Sequence, residues 1–233
     1  MLLVPVLIAC MAGLPSARAT ADPVYLPLEQ GTTWFYETGS GATERRTVDG
    51  AVELFGETAQ VIRYSESTSN EGLENYWTSS AAGDVYLWGF FRPEDGGWGW
   101  LYQPPLLYAD APLYTGKSWE TESLVYSLPD TIPTGSFVYT GTVTWDGVLD
   151  VPAGSFQSFL VEGSTGAPED AGGFSPDGRL LAGRVTTWAW YSDGVGVVQY
   201  GRPDALSFYQ LSEYGMTPVR AGSWGAIKSL FGH

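Results

Sequence analysis

The stretch GSFVYTGTVTWDG, residues 135–147, does most to fix what this chain can fold into. Phe137, Tyr139, Val143 and Trp145 share one parity, while Thr140, Thr142 and Thr144 share the other. Successive side chains of a strand point to opposite faces, so the stretch reads as a half-buried strand with one wet face. Comparable short runs of aromatic and β-branched residues recur: TTWFYET (32–38), AQVIRYSES (59–67), DVYLWGFF (84–91), RVTTWAWYS (184–192), GVVQYG (196–201) and SFYQLSEY (207–214). Turn-forming residues separate them. Asp-Gly occurs at 49–50, 95–96, 146–147, 177–178 and 193–194, and each pair reads as a turn. Short links between consecutive strands favour an antiparallel meander over parallel units with helical crossovers. The expectation is one all-β domain over residues 20–215, a curved antiparallel sheet or an open or partly closed barrel. Two stretches, 92–113 and 165–180, read as irregular, the first for its Gly/Trp loop and prolines and the second for its polar, Gly-rich composition.

The chain opens MLLVPVLIACMAGLPSARATADP, an apolar run followed by Ala17-Arg18-Ala19. A short apolar core before a small-x-small site is the pattern of a secretory signal peptide over residues 1–19. Leu7-Ile8-Ala9-Cys10 also resembles a lipobox, so a lipoprotein anchored at Cys10 is the alternative. Both readings export the protein. Without Arg18 the remainder carries ten basic and twenty-six acidic residues, a net charge of −16. Nucleic acid and anionic lipid are poor partners for such a surface. No later segment is apolar for the eighteen or so residues that a membrane helix requires.

Chemistry is narrowed by what is scarce. His233 is the single histidine and Cys10 the single cysteine, so a buried Ser-His-Asp or Cys-His arrangement has no internal base. Zinc and copper lack their usual ligands for the same reason, and no cofactor or metal is expected. Ser155 sits in DVPAGSFQSFLVEG, but residues 153–157 lack the G-x-S-x-G form of a nucleophile elbow. Pro152 and Gly154 instead make this a corner between two strands. Glu120 and Glu122 share a strand face and are the pair a glycosidase would need.

Aromatic residues are abundant, with ten Trp, fourteen Tyr and ten Phe. Trp98, Trp100 and Tyr102 alternate after a Gly-Gly turn and so share one face, either as a stacking platform for a ligand or folded onto the core. In the tail, residues 216–233, Ser223 can cap a short amphipathic helix carrying Trp224, Ile227, Leu230 and Phe231. Four large apolar side chains there imply docking on the domain or on a sorting or attachment partner.

Four phrases in order resemble a loose group of uncharacterised secreted bacterial proteins. They are LPLEQGTTWFY (26–36), PLYTGKSW (112–119), VPAGSF (151–156), and the pair WYSDGVGVV and LSEY near the end. The resemblance implies antiparallel sheet architecture and export, and it assigns no catalytic residue. The functional expectation is a non-enzymatic exported protein that binds an apolar small molecule in the concavity of its sheet. A carbohydrate-binding surface protein that holds a glycan on Trp98, Trp100 and Tyr102 is the second reading, and a carboxylate-dependent glycoside hydrolase the third.

Overall fold

The computed structural model describes residues 22–67, 70–94, 97–129, 132–166, 173–174, 180–181, 185–203 and 208–216. The expected leader, Cys10 and the tail residues Trp224, Ile227, Leu230 and Phe231 lie outside this set. Fourteen strands follow one another: β1 Thr32–Glu37, β2 Thr43–Leu54, β3 Glu57–Ser65, β4 Glu74–Ser79, β5 Val85–Arg92, β6 Trp98–Ala109 and β7 Ser118–Leu128. Then come β8 Ile132–Val151, β9 Gly154–Gly166, β10 Gly173–Phe174, β11 Leu180–Leu181, β12 Val185–Ser192, β13 Gly196–Gly201 and β14 Tyr209–Met216.

Twelve of these strands form a closed antiparallel barrel; β10 and β11 pair only with each other. Neighbours in sequence are neighbours in space, except that β9 pairs with β12, and β14 returns to pair with β1. The sheet therefore closes fully, leaving neither end of the meander as a free edge. Inward-facing aromatic and aliphatic residues from every quarter of the ring form the main core, including Trp34, Tyr36, Val48, Tyr64, Phe90, Val143, Tyr191, Val198 and Leu211. The parity read from residues 135–147 holds: Phe137, Tyr139 and Val143 are buried, although Trp145, beyond a register shift, is exposed.

A second core lies on the opposite face of the same strands. Leu54, Ala59 and Val61 of the β2–β3 hairpin pack with Tyr76, Trp88, Phe91 and Leu101. Phe90 belongs to the inner core and its neighbour Phe91 to this outer one. Phe55 takes a φ of +52° at the hairpin tip, and its ring rests against Trp88 and Tyr126. The hairpin thus folds back over the outside of β4–β7.

The segment before β1 covers one end of the barrel. Val24 N–H donates to Asp193, Gly194 N–H donates to the Val24 carbonyl, and Leu113 N–H donates to the Tyr25 hydroxyl. Tyr25 and Leu26 are buried there.

Two local expectations need correction, and a third, the corner near Gly154, holds. Residues 92–113 are mostly strand β6, in which Pro104 and Pro105 are accommodated where the β5–β6 register jumps, Leu87 pairing Leu106 and Gly89 pairing Leu101. A register break leaves positions with no ladder bond to donate, which is where a strand tolerates proline. Of the Asp-Gly pairs, only 193–194 is a described hairpin turn, with Gly194 at φ +73°. Asp49-Gly50 instead forms a bulge within β2, and Asp146-Gly147 lies inside β8. The other two pairs fall outside the described residues. The corner at residues 151–156 is a tight β8–β9 hairpin in which Val151 pairs with Gly154, and exposed Ser155 donates its hydroxyl to Asp150.

Two glycines with similar backbones separate strain from crowding. Gly89 (φ +147°) has the Trp100 carbonyl oxygen only 2.1 Å from where a Cβ would sit, whereas Gly154 (φ +138°) has nothing nearer than the Phe156 ring at 3.8 Å. Gly154→Ala should cost about 1 kcal/mol from backbone conformation alone. Gly89→Ala should cost about 3 kcal/mol or more, because a β5–β6 contact must also open. Denaturant midpoints of the two variants check the order; equal losses would show that the β5–β6 approach is not tight.

Candidate functional site

The inner core does not fill the barrel completely. A cavity of about 330 Å³ lies within it, walled by Leu26 and Trp34 toward the covered end and by Asn70, Leu73 and Arg202 toward the other. Arg202 is exposed, so the lining extends to the end of the barrel where β3 finishes and β4 begins. Its walls are chiefly aromatic, with Tyr36, Tyr64, Trp77, Tyr108, Trp188, Tyr191, Tyr200 and Tyr209 joined by aliphatic residues. A partly apolar hollow of roughly 300 Å³ or more, with few polar groups, is the form of a small-molecule site.

One polar cluster stands among these rings. Glu44 and Arg46 share a parity on β2 and both face inward. The Glu44 side chain is wholly inaccessible, and the Arg46 side chain keeps 15% of its accessible surface. Arg46 Nε donates to Glu44 Oε1 at 2.7 Å, and the Tyr200 hydroxyl donates to the same oxygen at 2.6 Å. The other carboxylate oxygen accepts from Asn70 Nδ2 at 2.9 Å and from the Ser67 hydroxyl at 3.4 Å. Both oxygens are therefore satisfied, as a buried carboxylate requires.

The rings of Tyr200, Tyr64 and Tyr36 approach the Arg46 guanidinium carbon to 4.1, 4.7 and 4.8 Å. Aromatic faces attract a cation, and more so away from water. Burial alone would lower the Arg46 pKa; Tyr200 and Tyr64, then Glu44 and Tyr36, outweigh it and hold the guanidinium charged. Burial raises the pKa of all three tyrosines, with Arg46 opposing, and takes Tyr64 up to about 12. The hydroxyls are thus proton donors at any ordinary pH. Asn75 Nδ2 donates to the Tyr64 hydroxyl at 2.8 Å, while its buried Oδ1 has no partner among the described residues.

The residues singled out in the sequence stand elsewhere. Trp98 and Trp100 are half-buried against the inner core, and Tyr102 is buried beside Phe137. Trp98 meets Phe90 edge to face. They share a face as expected, but it is the inward face of a barrel strand rather than an exposed platform, and none of the three lines the cavity. Glu120 and Glu122 are exposed on β7, outside the cavity. Among the described residues no group of His, Cys, Asp and Glu is placed to hold a metal. No described helix is long and apolar enough to cross a membrane. Opposite charges at alternate positions of a strand, Glu44 and Arg46, were the signal available in the sequence for the inner cluster.

No protein-family model and no curated protein matches the chain. Two solved structures are similar. One is a candidate lipoprotein of Parabacteroides distasonis ATCC 8503, 15% identical, covering 84% of this chain and all of its own, with a TM-score of 0.46. The other is a candidate exported protein with a YmcC-like fold from Bacteroides fragilis NCTC 9343, 14% identical, covering 83% of this chain and 99% of its own, with a TM-score of 0.47.

Removing one member of the buried cluster should cost more than removing the pair. Arg46→Met leaves Glu44 as an uncompensated buried charge and should destabilise by about 3–5 kcal/mol. Tyr200→Phe removes one donor to that carboxylate, for about 1.5–3 kcal/mol. The double variant Glu44→Gln, Arg46→Met should lose less than Arg46→Met alone, as a double-mutant cycle by denaturation will show.

Alkaline pH gives a separate check. Tyr64 has its pKa raised in the folded state, so its contribution is complete below the ordinary value of 10.0 and is lost as the pH climbs through about 12. Denaturation midpoints should therefore hold steady up to a pH of about 10 and fall above it. A midpoint that rose across that range would contradict the burial of these hydroxyls.

Proposed function

We propose that this is an exported, non-catalytic protein that carries a small, largely apolar ligand inside its barrel. The observation that carries the reading is the cavity of about 330 Å³, walled mainly by aromatic and aliphatic side chains. A close-packed interior does not leave such space without cost, because the lining forfeits contacts that a filling side chain would have made. The leader-like residues 1–19 support export, and the lack of an internal histidine or cysteine supports a role in binding. The ordered resemblance to secreted bacterial proteins points the same way.

The test uses a neutral dye, N-phenylnaphthylamine, whose fluorescence rises in apolar surroundings. The protein should bind it saturably at one site. Ala189 lines the cavity on β12, where it pairs with Tyr200 of β13. Ala189→Phe fills that space and should weaken dye binding about tenfold or more while leaving the melting temperature at or above that of the unsubstituted protein. Absence of saturable binding by the unsubstituted protein, or full binding by a folded Ala189→Phe variant, would reject the reading.

A further inference from the structure

The charged groups on the cavity wall tell what kind of ligand it would hold. The protein carries a net charge of −15, yet among the described lining residues the charged side chains are Arg46 and Arg202, with no Asp or Glu. Glu44 stands behind Arg46 and both its oxygens are already engaged, by Arg46, Tyr200, Asn70 and Ser67. It therefore fixes the guanidinium in place without offering an acceptor to the cavity.

A guanidinium has five N–H donors in a planar fork. At Arg46 the Nε edge is used on Glu44, and the rings of Tyr36, Tyr64 and Tyr200 pack around the group within 5 Å. The Nη edge remains, with Glu44 the hydrogen-bond partner of this side chain among the described residues. Arg46 lines the cavity, and its side chain keeps 15% of its accessible surface. A charged fork fixed at its base by a carboxylate, on the wall of an apolar hollow, is suited to receive an oxygen acid in two-pronged fashion.

We infer that the ligand is an anionic amphiphile, an oxygen acid on an apolar body, with the acid held by Arg46 and the body lying toward Trp34 and Leu26. The inference rests on the cavity reading above and adds the head group to it. Arg46 is the cross-strand partner of Trp34, so the guanidinium and the apolar wall toward Leu26 are neighbours on the lining.

The experiment displaces N-phenylnaphthylamine from the whole chain with dodecanoate, dodecyl phosphate and dodecanol, which share an apolar body and differ in head group. Dodecanoate or dodecyl phosphate should displace the dye about tenfold or more better than dodecanol, the margin of one charge-assisted hydrogen bond. The stronger of the two acids then identifies the head group as carboxylate or phosphate. In the double variant Glu44→Gln, Arg46→Gln, which avoids leaving a lone buried charge, the preference for acids should vanish while dodecanol binding stays within about twofold. Arg46→Lys, which keeps the charge and loses the fork, should retain part of the preference. Dye binding with equal displacement by all three compounds would overturn the anionic head group and leave the cavity reading standing. An unchanged preference for acids in a folded double variant would overturn the role of Arg46. Failure of the dye to bind the unsubstituted protein would remove both.

Discussion

The closure of the ring between its first and last strands is the constraint on which everything inside depends. β1 pairs with β14 along its full length, joining residues nearly two hundred positions apart. On its other side β14 is held weakly, since β13 and β14 share only the pairs Gln199–Gln210 and Tyr200–Tyr209. Side chains supply what the ladder lacks there. Trp34 Nε1 donates to the Val195 carbonyl at 2.7 Å, Tyr36 to that of Val197 at 2.8 Å, and Tyr214 to that of Gly194 at 3.1 Å. Large aromatic residues thus act as both core and seam, since each buries its ring and satisfies a backbone group with its polar tip.

The same dual use governs the interior. A twelve-stranded ring encloses more width than aliphatic side chains fill, and this chain answers with tyrosine and tryptophan. Rings stack in pairs along the inner wall, Tyr108 on Tyr139 at 4.5 Å and Tyr200 on its cross-strand partner Tyr209 at 4.9 Å. Their hydroxyls must find partners, which brings Glu44, Arg46 and Asn75 into an otherwise apolar space. The space left over therefore has both an oily wall and a charged group, which neither feature alone would provide.

The sequence revealed the β class, the antiparallel order and several strands closely, with β13 matching at both ends. Its alternation of parity correctly placed Phe137, Tyr139 and Val143 inside. It hid closure, because nothing local in TTWFYE or YQLSEY says that the two strands meet. Strand β6 was obscured by Pro104 and Pro105, whose missing donors matter only if the neighbour's register is continuous, and it is not. The Asp-Gly pairs at 49–50 and 146–147 misled for a related reason: a residue pair suited to a turn also suits a bulge or a twisted strand when its neighbours continue the ladder. Trp98, Trp100 and Tyr102 were legible as one face, but which side of the sheet that face occupies is set by long-range pairing. Glu44 and Arg46 were passed over because opposite charges on a strand ordinarily face solvent.

Leu26 and Trp34, at the deep end of the cavity, belong to the chain's opening segments, while Tyr200 and Tyr209 belong to its last strands. No partly assembled form of the chain has this cavity, because its walls come from both ends of the sequence. Occupancy and completion of the barrel are in consequence thermodynamically linked. A molecule bound there stabilises the closed form alone, by about 2.7 kcal/mol at a hundredfold excess over its dissociation constant. The shortest-paired part of the ring, between β13 and β14, is where opening of an empty barrel has the fewest ladder bonds to break.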